Sequence, residues 1–536
     1  MAEPDARRLG PALTAALVIA ALLRVLYHCS YLAEVPFALA TFSDGRQYEL
    51  AAIDVLEHPP WGTQPFYLQG LYAYQMALPM MIRQWVSLAL LLQLAIAGLT
   101  HAWFFRAMQR WRGRVEAGWA TLALLAFPML AFYENKFLTA SLTVTASVGV
   151  LWAAVRCRDA GAGWWTVLGG LAGIAVLARP NLAVVVPFLA VAGWRHATTG
   201  RGARLGLLVL GLLLTLGPMA VRNAQVTGRA TVMPAHGGGT SFYIGNNASA
   251  RGVWNTAGGL LSGDVSHERD ELRQTLGVPA SDDADTEIAA IGRALYARAW
   301  EEITDDPGRW LWLEVRKLWL MAGNEPLTQD YDVLGEREML SSSPRIGLPF
   351  GVALAFALFG IGPLRKAAGE DVVLWSLLGL AVGTVAANLL YFTSAQHRLP
   401  LVVPFAVCVP SGVRAVRAAV QQRRWPAVVA FAVLVAASFW PRSRRDAPSA
   451  VHYYNLSVAW VYVGQPSRGL QALDRALEIR PGHPVIRLER ASMLRRGGAF
   501  ARARTDLDVL EAQGSLPGWV RERVVDERRR LATLDP

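Results

Sequence analysis

The 536-residue chain is 53% hydrophobic and 17% charged, with a net charge of +11, whereas soluble domains carry about 25% charged residues. The charge deficit lies in long apolar runs, which excludes an ordinary soluble fold and indicates a chain placed in lipid. The arginines flank those runs, where they orient helices and meet anionic head groups, and the three cysteines form no Cys/His cluster, so we predict neither nucleic-acid binding nor a zinc site.

Eleven apolar stretches are predicted to be membrane-spanning helices. They cover residues 11–31, 84–105, 116–133, 137–155, 164–178, 181–194, 204–221, 346–363, 371–392, 399–419 and 425–440. The predicted fold is therefore an all-α polytopic membrane protein of about 11 transmembrane helices. A mixed outer-side segment and a C-terminal α-helical repeat tail complete the predicted chain.

The N-terminus has two interpretations. Arg7 and Arg8 precede the first apolar stretch and residues 38–40 (Ala-Leu-Ala) resemble a cleavage site, as in a cleaved signal peptide. The apolar character continues to Tyr31, which favours a retained helix. In either case the following loop emerges on the outer side of the membrane.

Lysine and arginine are concentrated in alternate connections, which predicts that the N-terminus is inside. The loop at 31–78 and the polar segment at 223–345 then lie outside, as in a bacterial inner-membrane protein with an extracytoplasmic site. Arg442, Arg444 and Arg445 follow the last span on the predicted outer side. They run against the bias and leave the sidedness of the tail open.

The tail carries a repeat. Gly464 and Gly498 are 34 residues apart (498 − 464), and the same offset relates Leu473 to Leu507. Small and large residues at these offsets are similar to tetratricopeptide (TPR) repeats, in which each unit is a helical hairpin. We therefore divide the chain into a transmembrane domain, 1–440, and a TPR-like tail, 441–536, that binds a protein partner or packs on its neighbour. The alternative is two hairpins that are similar by chance.

The first outer loop holds a carboxylate at the lipid–water boundary. Asp44 follows the first span directly, with Arg46 and Tyr48 beside it and Tyr72 further along the loop. A carboxylate there can accept a proton from a hydroxyl or ligate a divalent cation. The alternative is an ordinary solvated loop acid.

A second carboxylate, Glu134, lies in a very short outer connection between two spans. Short connections place adjacent helices side by side, so we expect Glu134 near Asp44 as a second catalytic candidate. The alternative is an acid favoured by the dipole of the helix that starts at Phe137.

Three arginines lie at the predicted outer face, against the inside-positive trend. They are Arg179, Arg222 with Asn223 after it, and Arg398 with His397 before it. Arginine is the preferred bidentate partner of phosphate, so these residues are predicted to bind a phosphate-bearing substrate. The alternative is anchoring in lipid head groups. The glycine-rich stretch at 235–247 also opens the outer segment, but no Gly-Lys-Ser/Thr ends it, so it is not a P-loop.

Four of these pieces occur in a recognisable order: Asp44 with Tyr48 four residues on, the stretch 69–74, Arg222-Asn223 leading to 242–247, and the stretch 397–400. Together they resemble the multi-span (GT-C type) glycosyltransferases that use polyprenyl-phosphate-linked sugars, the protein mannosyltransferase and aminoarabinose-transferase group. The resemblance covers most of residues 11–420. It implies that Asp44 is the catalytic acidic residue, which would deprotonate the acceptor hydroxyl, while Gly45 stands where some relatives carry a second acidic residue.

The predicted function is inverting transfer of a sugar from a polyprenyl-phosphate donor to an acceptor hydroxyl outside the cytoplasm. The acceptor is a protein, a lipid or a polysaccharide, membrane lipids surround the enzyme, and a divalent cation (Mg²⁺ or Mn²⁺) is a candidate cofactor. Two alternatives stay open: a non-catalytic membrane scaffold that recruits envelope proteins through its tail, and a transporter of lipid-linked sugars.

Overall fold

The computed structural model describes residues 9–534 except 84, 160, 197–199, 235–237, 257–259, 261–266, 282–283, 328, 330, 342–346, 370, 443–447 and 515. All regular structure in this part of the chain is helical. The start of the glycine-rich stretch, 235–237, and two of the tail arginines, Arg444 and Arg445, lie outside the described residues.

The first ten helices run to residue 227. They are α1 (Pro11–Glu34), α2 (Asp44–Glu57), α3 (Gly70–Arg83), α4 (Val86–Arg112), α5 (Arg114–Leu125), α6 (Pro128–Glu134), α7 (Thr139–Asp159), α8 (Trp164–Ala178), α9 (Val185–Arg195) and α10 (Arg201–Thr227). Helices α2 and α3 form the first loop between spans.

Fifteen further helices complete the described chain. They are α11 (Gly238–Asn246), α12 (Glu268–Leu276), α13 (Ala284–Asp305), α14 (Pro307–Met321), α15 (Val333–Met339), α16 (Phe350–Ala368), α17 (Val372–Leu390), α18 (Ala395–Arg398), α19 (Val402–Gln421), α20 (Trp425–Ser438), α21 (Ala450–Tyr462), α22 (Pro466–Ile479), α23 (Pro484–Arg496), α24 (Phe500–Glu511) and α25 (Gly518–Leu534). The regular structure in the described part of the segment predicted to be mixed is thus all helical, with turns and irregular stretches between the helices.

Seven of the described helical segments are long and apolar enough to cross a membrane. Six are single helices, α1, α4, α7, α10, α16 and α17, and the seventh is Ala395–Gln421, in which α18, a 3₁₀ turn (Leu399–Leu401) and α19 follow one another without a gap. Helices α5 and α6, bent by 65° at their junction, make an eighth crossing if they are one span. Three shorter apolar helices, α8, Pro180–Arg195 and α20, coincide with the other predicted stretches. The all-α polytopic class is confirmed, and lengths below about 20 residues leave these three short of a full span.

Small residues allow the spans to pack closely. A Cβ on Gly169 of α8 would lie 2.0 Å from the carbonyl oxygen of Leu208, and a Cβ on Gly211 of α10 would lie 2.0 Å from that of Thr166. Helices in lipid associate largely through such close backbone contacts. The α8–α10 crossing therefore depends on glycine at both positions.

A buried ion pair ties the spans to α15. The ammonium of Lys136, in the connection before α7, contacts the carboxylate of Glu336, and both side chains are buried. Lys136 also donates to the hydroxyl of Tyr31 in α1. Removing one partner of a buried pair leaves an uncompensated charge, so this contact fixes α15 against the membrane helices.

The tail shows the predicted 34-residue period in its helix starts. Helices α21, α23 and α25 begin at 450, 484 and 518, and α22 and α24 begin at 466 and 500. Gly464 and Gly498 each have φ +78° in the turn inside a hairpin, a conformation that favours glycine. The structure therefore contains two equivalent hairpins and a final helix, and their assignment to the TPR family stays a prediction.

The tail lies at the same end of the bundle as α2. The backbone N–H of Ser449 donates to Asp332 at 3.1 Å, and the indole N–H of Trp519 donates to Glu271 at 2.6 Å. These acids precede α15 and lie in α12, within the segment after α10. The tail therefore lies on the same side of the bundle as that segment.

Candidate active site

A cavity of about 1680 Å³ lies at the end of the bundle where α2 and the tail meet. Its walls come from α2 and the loop before α3, the break between α8 and α9, parts of α11 to α14, the end of α17, and the tail. Half of the ten predicted site residues line it: Asp44, Arg46, Tyr48, Arg179 and His397.

Asp44 is the first residue of α2 and is half-buried in the cavity wall. The preceding Ser43 has φ +48° and ψ −134°, a conformation that is rare for any residue with a Cβ. Such strain persists only where surrounding contacts fix the backbone, and it is concentrated at functional sites. Packing provides that fixation, because a Cβ on Gly45 would lie 3.2 Å from the Cβ of Phe137.

The end of α8 and the turn that follows it bring Arg179 into the cavity. Pro180 cannot continue the hydrogen bonds of α8, so a 3₁₀ turn (Pro180–Val184) follows. The guanidinium of Arg179 donates to the carbonyl of Gln396 at 3.3 Å. The side chain of Asn181 donates to the carbonyl of Gly383 at 3.1 Å, which fixes the break against α17.

Arg179 and Asp44 both line the same cavity. A cation and an anion in a partly desolvated site attract each other more strongly than in water. The pair provides a negative group that can take a proton and a positive group that can hold an anion. Of the three arginines predicted to bind phosphate, Arg179 is the one that lines the cavity with Asp44, and the roles of the two residues stay a prediction.

Tyr48 lies one turn after Asp44 and is supported by Tyr72. The Tyr48 hydroxyl donates to Gln69, and burial raises the pKa of the Tyr48 phenol, with the Asp44 carboxylate adding to the effect. The rings of Tyr48 and Tyr72 meet edge to face at 4.7 Å. Tyr72 itself donates to Gln93 at 2.7 Å and does not line the cavity, so it supports the wall from behind.

Arg46 and His397 complete the predicted residues of the wall. Arg46 is partly exposed and pairs with the buried carboxylate of Glu49. The Nδ1–H of His397 donates to the carbonyl of Phe392 at 3.2 Å. It also lies within the electrostatic range of Arg179.

Arg398 is placed differently from the sequence expectation. Its guanidinium donates to the carbonyls of Met321 at 3.1 Å and Gly323 at 2.8 Å, and also to that of Glu325. It packs 4.5 Å from the ring of Phe350 and does not line the cavity. The last carbonyls of a helix lack partners within it, so Arg398 caps α14 instead of facing a ligand.

Arg222 and Asn223 are also turned away from the cavity. Arg222 donates to the carbonyl of Trp61 at 2.8 Å and to that of Gln64, while Asn223 donates to the carbonyl of Thr231 at 2.7 Å. These backbone carbonyls accept the hydrogen bonds that the two side chains would otherwise donate to a phosphate. The two residues therefore shape the first loop and the chain after α10.

Glu134 does not line the cavity beside Asp44. Its carboxylate is buried and pairs with Arg24 of α1 at 2.7 Å and with His28 at 3.2 Å. The short connection does place helices side by side, but the side chain points to α1. A carboxylate held by this ion pair serves packing, so we do not assign it a catalytic role.

We expect Arg24→Met to destabilise the protein by about 3–5 kcal/mol, because it leaves Glu134 buried without its main partner. The double variant Arg24→Met/Glu134→Met should recover most of that loss, since neither charge remains. Thermal unfolding of the purified protein in detergent measures both effects. A double variant as unstable as the single one would show that the pair does not act as a unit.

Glu314 lines the cavity and was not anticipated from the sequence. It lies in α14, and burial raises the pKa of its carboxyl although Lys317, 2.6 Å away, opposes the shift. Lys317 is itself held by the carbonyl of Leu389 at 2.6 Å. The sequence does show an oppositely charged pair, Glu314 and Lys317, three residues apart in a tryptophan-rich stretch. That pattern does not tell which side of the helix faces the cavity.

The described residues contain no group of three His, Cys, Asp or Glu side chains arranged to hold a metal ion. Gly45 follows Asp44, so the chain offers no adjacent second carboxylate there. Divalent cations such as Mg²⁺ and Mn²⁺ take several oxygen ligands. The reaction described below for this cavity therefore uses protein side chains alone, and Mg²⁺ or Mn²⁺ stays a candidate cofactor from the sequence.

No protein-family model and no curated protein sequence matches the chain. Solved structures are similar in fold. The archaeal oligosaccharyltransferase AglB from Archaeoglobus fulgidus, in complex with an inhibitory peptide and a dolichol-phosphate, is 14% identical with a TM-score of 0.40, over 88% of this chain and 60% of AglB. The chain thus spans 60% of the length of that oligosaccharyltransferase.

ArnT from Cupriavidus metallidurans, bound to undecaprenyl phosphate, is a second similar structure. It is 15% identical with a TM-score of 0.34, over 76% of this chain and 78% of ArnT. At these identities the similarity concerns the fold, and the function proposed below is argued from the cavity itself.

Proposed function

We propose that the protein transfers a sugar from a polyprenyl-phosphate donor to an acceptor hydroxyl, with inversion at the anomeric carbon. One observation carries the proposal: the carboxylate of Asp44 and the guanidinium of Arg179 belong to residues that both line the wall of a single cavity. A carboxylate base for the acceptor hydroxyl and a cation for the leaving phosphate are the two groups that such a transfer needs.

The shape of the cavity suits an amphiphile. Part of its wall is apolar and comes from the last turns of α17, including Ala386, Leu389 and Leu390, and from Val184. Because α17 is a candidate span, a polyprenyl chain can lie along it and keep its apolar surface out of water, at about 0.8 kcal/mol for each buried CH₂. The phosphate at its end then reaches Arg179.

The reaction is a single displacement. The acceptor oxygen forms a bond to the anomeric carbon while the bond from that carbon to the donor phosphate oxygen breaks. Asp44 takes the proton of the acceptor hydroxyl, and Arg179 stabilises the charge that develops on the leaving polyprenyl phosphate. A carboxylate base on the face opposite the leaving group also serves the inverting glycosidases.

The location follows from the donor. Nucleotide sugars are held in the cytoplasm, whereas a lipid-linked sugar is available on the other side of the membrane. The arginine bias of the connections supports a cavity on the extracytoplasmic face. The proposal names the ligand class seen in the AglB and ArnT complexes, but it rests on the residues of this cavity.

The direct test incubates the purified protein in nanodiscs with radiolabelled polyprenyl-phosphate sugars and envelope extract. We expect label to leave the lipid phase and to appear in an acceptor or, more slowly, as free sugar. Intact donor with every sugar tested would contradict the enzyme and support the scaffold. Donor that crosses the membrane of a proteoliposome with its sugar–phosphate bond intact would support the transporter.

A further inference from the structure

Three tail residues that line the cavity occupy equivalent positions of the repeat. Asn455, Glu489 and Arg523 are 34 residues apart (489 − 455 and 523 − 489). They lie on α21, α23 and α25, the first helix of each successive unit. Stacked repeats place equivalent positions along one face, and the contact of Glu489 with Arg523 at 3.8 Å agrees with that.

Helix α21 presents one face to the cavity. Val451, Tyr454, Val458 and Tyr462 all line it, and their spacing of three or four residues puts them on one side of a helix. The hydroxyl of Tyr462 lies 3.4 Å from the carboxylate of Glu49. Since Glu49 belongs to α2, this contact joins the tail to the helix that begins with Asp44.

The cavity therefore has walls of two chemical kinds. The wall from α17 is apolar and belongs to the membrane helices, whereas the tail wall combines aromatic rings with an amide, a carboxylate and a guanidinium. Helices packed about 8–10 Å apart extend the tail wall over roughly 16–20 Å. That length matches about five or six residues of extended polypeptide, and amide and charged side chains can pair with its backbone and side chains.

We propose that this face of α21, α23 and α25 binds the acceptor, and that the acceptor is an extended polypeptide segment whose hydroxyl side chain is presented to Asp44. The inference rests on the proposed transfer reaction. It gives the tail a role inside the catalytic cycle. Asn455, Glu489 and Arg523 select the acceptor and take no part in cleaving the donor.

The test separates acceptor use from donor cleavage in the full-length protein. The variants Glu489→Ala and Arg523→Ala are compared with Arg529→Ala, an exposed arginine of the same helix α25 that does not line the cavity. We expect the apparent KM for envelope protein to rise about tenfold or more in the first two. The rate at which water cleaves the labelled donor, and the thermal unfolding midpoint, should match the wild type in all three.

Each other outcome has a distinct meaning. If the wild type cleaves donor and transfers label, but the two variants keep the wild-type acceptor KM, the acceptor face is wrong while the reaction stands. If the incorporated label resists protease, the acceptor is a glycan or lipid and the polypeptide assignment is overturned. If the wild type leaves the donor intact, the proposed reaction fails and this inference falls with it.

Discussion

Asp44→Asn is expected to lower kcat for sugar transfer by about 10²–10⁴-fold, the range that positioned acid–base groups contribute. Asparagine has nearly the same shape and can occupy the first turn of α2, but it cannot take the proton of the acceptor hydroxyl. The donor KM should change little, because Arg179 and the apolar wall remain. Transfer rates with labelled donor, measured beside the thermal unfolding midpoint, check the prediction.

The matched control is Glu57→Gln. Glu57 is an exposed acid at the other end of the same helix and does not line the cavity. Its variant removes the same charge from α2 and should transfer sugar at the wild-type rate. Equal activity of Asp44→Asn and Glu57→Gln would contradict the assignment of Asp44 as the catalytic base.

Arg179→Gln is expected to slow transfer by about 10²–10³-fold, the cost of removing one group that stabilises developing negative charge. The loss should appear mainly in kcat, because the charge on the leaving phosphate is largest in the transition state. The same variant should slow cleavage of the donor by water, since both reactions release the same phosphate. Arg106→Gln, an exposed arginine at the far end of α4, serves as the neutral control.

Arg398→Gln tests whether Arg179 or Arg398 is the arginine that binds the phosphate. It leaves the carbonyls at the end of α14 without their donor and should cost about 1–3 kcal/mol of stability. Folded protein carrying this change should turn over donor at close to the wild-type rate. A large loss of turnover at unchanged stability would instead favour Arg398 as the phosphate-binding residue.

The membrane helices could be predicted because hydropathy reports burial in lipid directly. Every predicted stretch coincides with a described apolar helix, including the break at Arg179-Pro180. What sequence position does not give is the direction of a side chain around the helix axis. Arg179 and Arg398 both lie near helix ends, yet one enters the cavity and the other caps α14.

Buried ion pairs are the second reason why the site could be predicted only in part. Glu134 looked available because its connection is short, but its partner Arg24 is 110 positions away in the chain. No local pattern identifies such a partner. Asp44, in contrast, carries its signals locally: a position just outside the first span, with Arg46 and Tyr48 beside it.

The tail, too, could be predicted only in part from the sequence. Its period follows from equivalent residues 34 apart, and the helix starts agree with it. Its place against the cavity is fixed by Asp332 and Glu271, which are distant in sequence, so docking could not be foreseen. The equivalence of Asn455, Glu489 and Arg523 acquires meaning only once the three are found on one wall.

The central claim is that one cavity brings a lipid-linked phosphate to Arg179 and its sugar to Asp44. A cryo-electron microscopy map of the Asp44→Asn protein with a polyprenyl-phosphate sugar bound tests it most directly. We predict phosphate density within about 4 Å of the Arg179 guanidinium, with the sugar beside residue 44 and the lipid along α17. Phosphate density at Arg222 or Arg398, or at the opposite end of the bundle, would contradict the account.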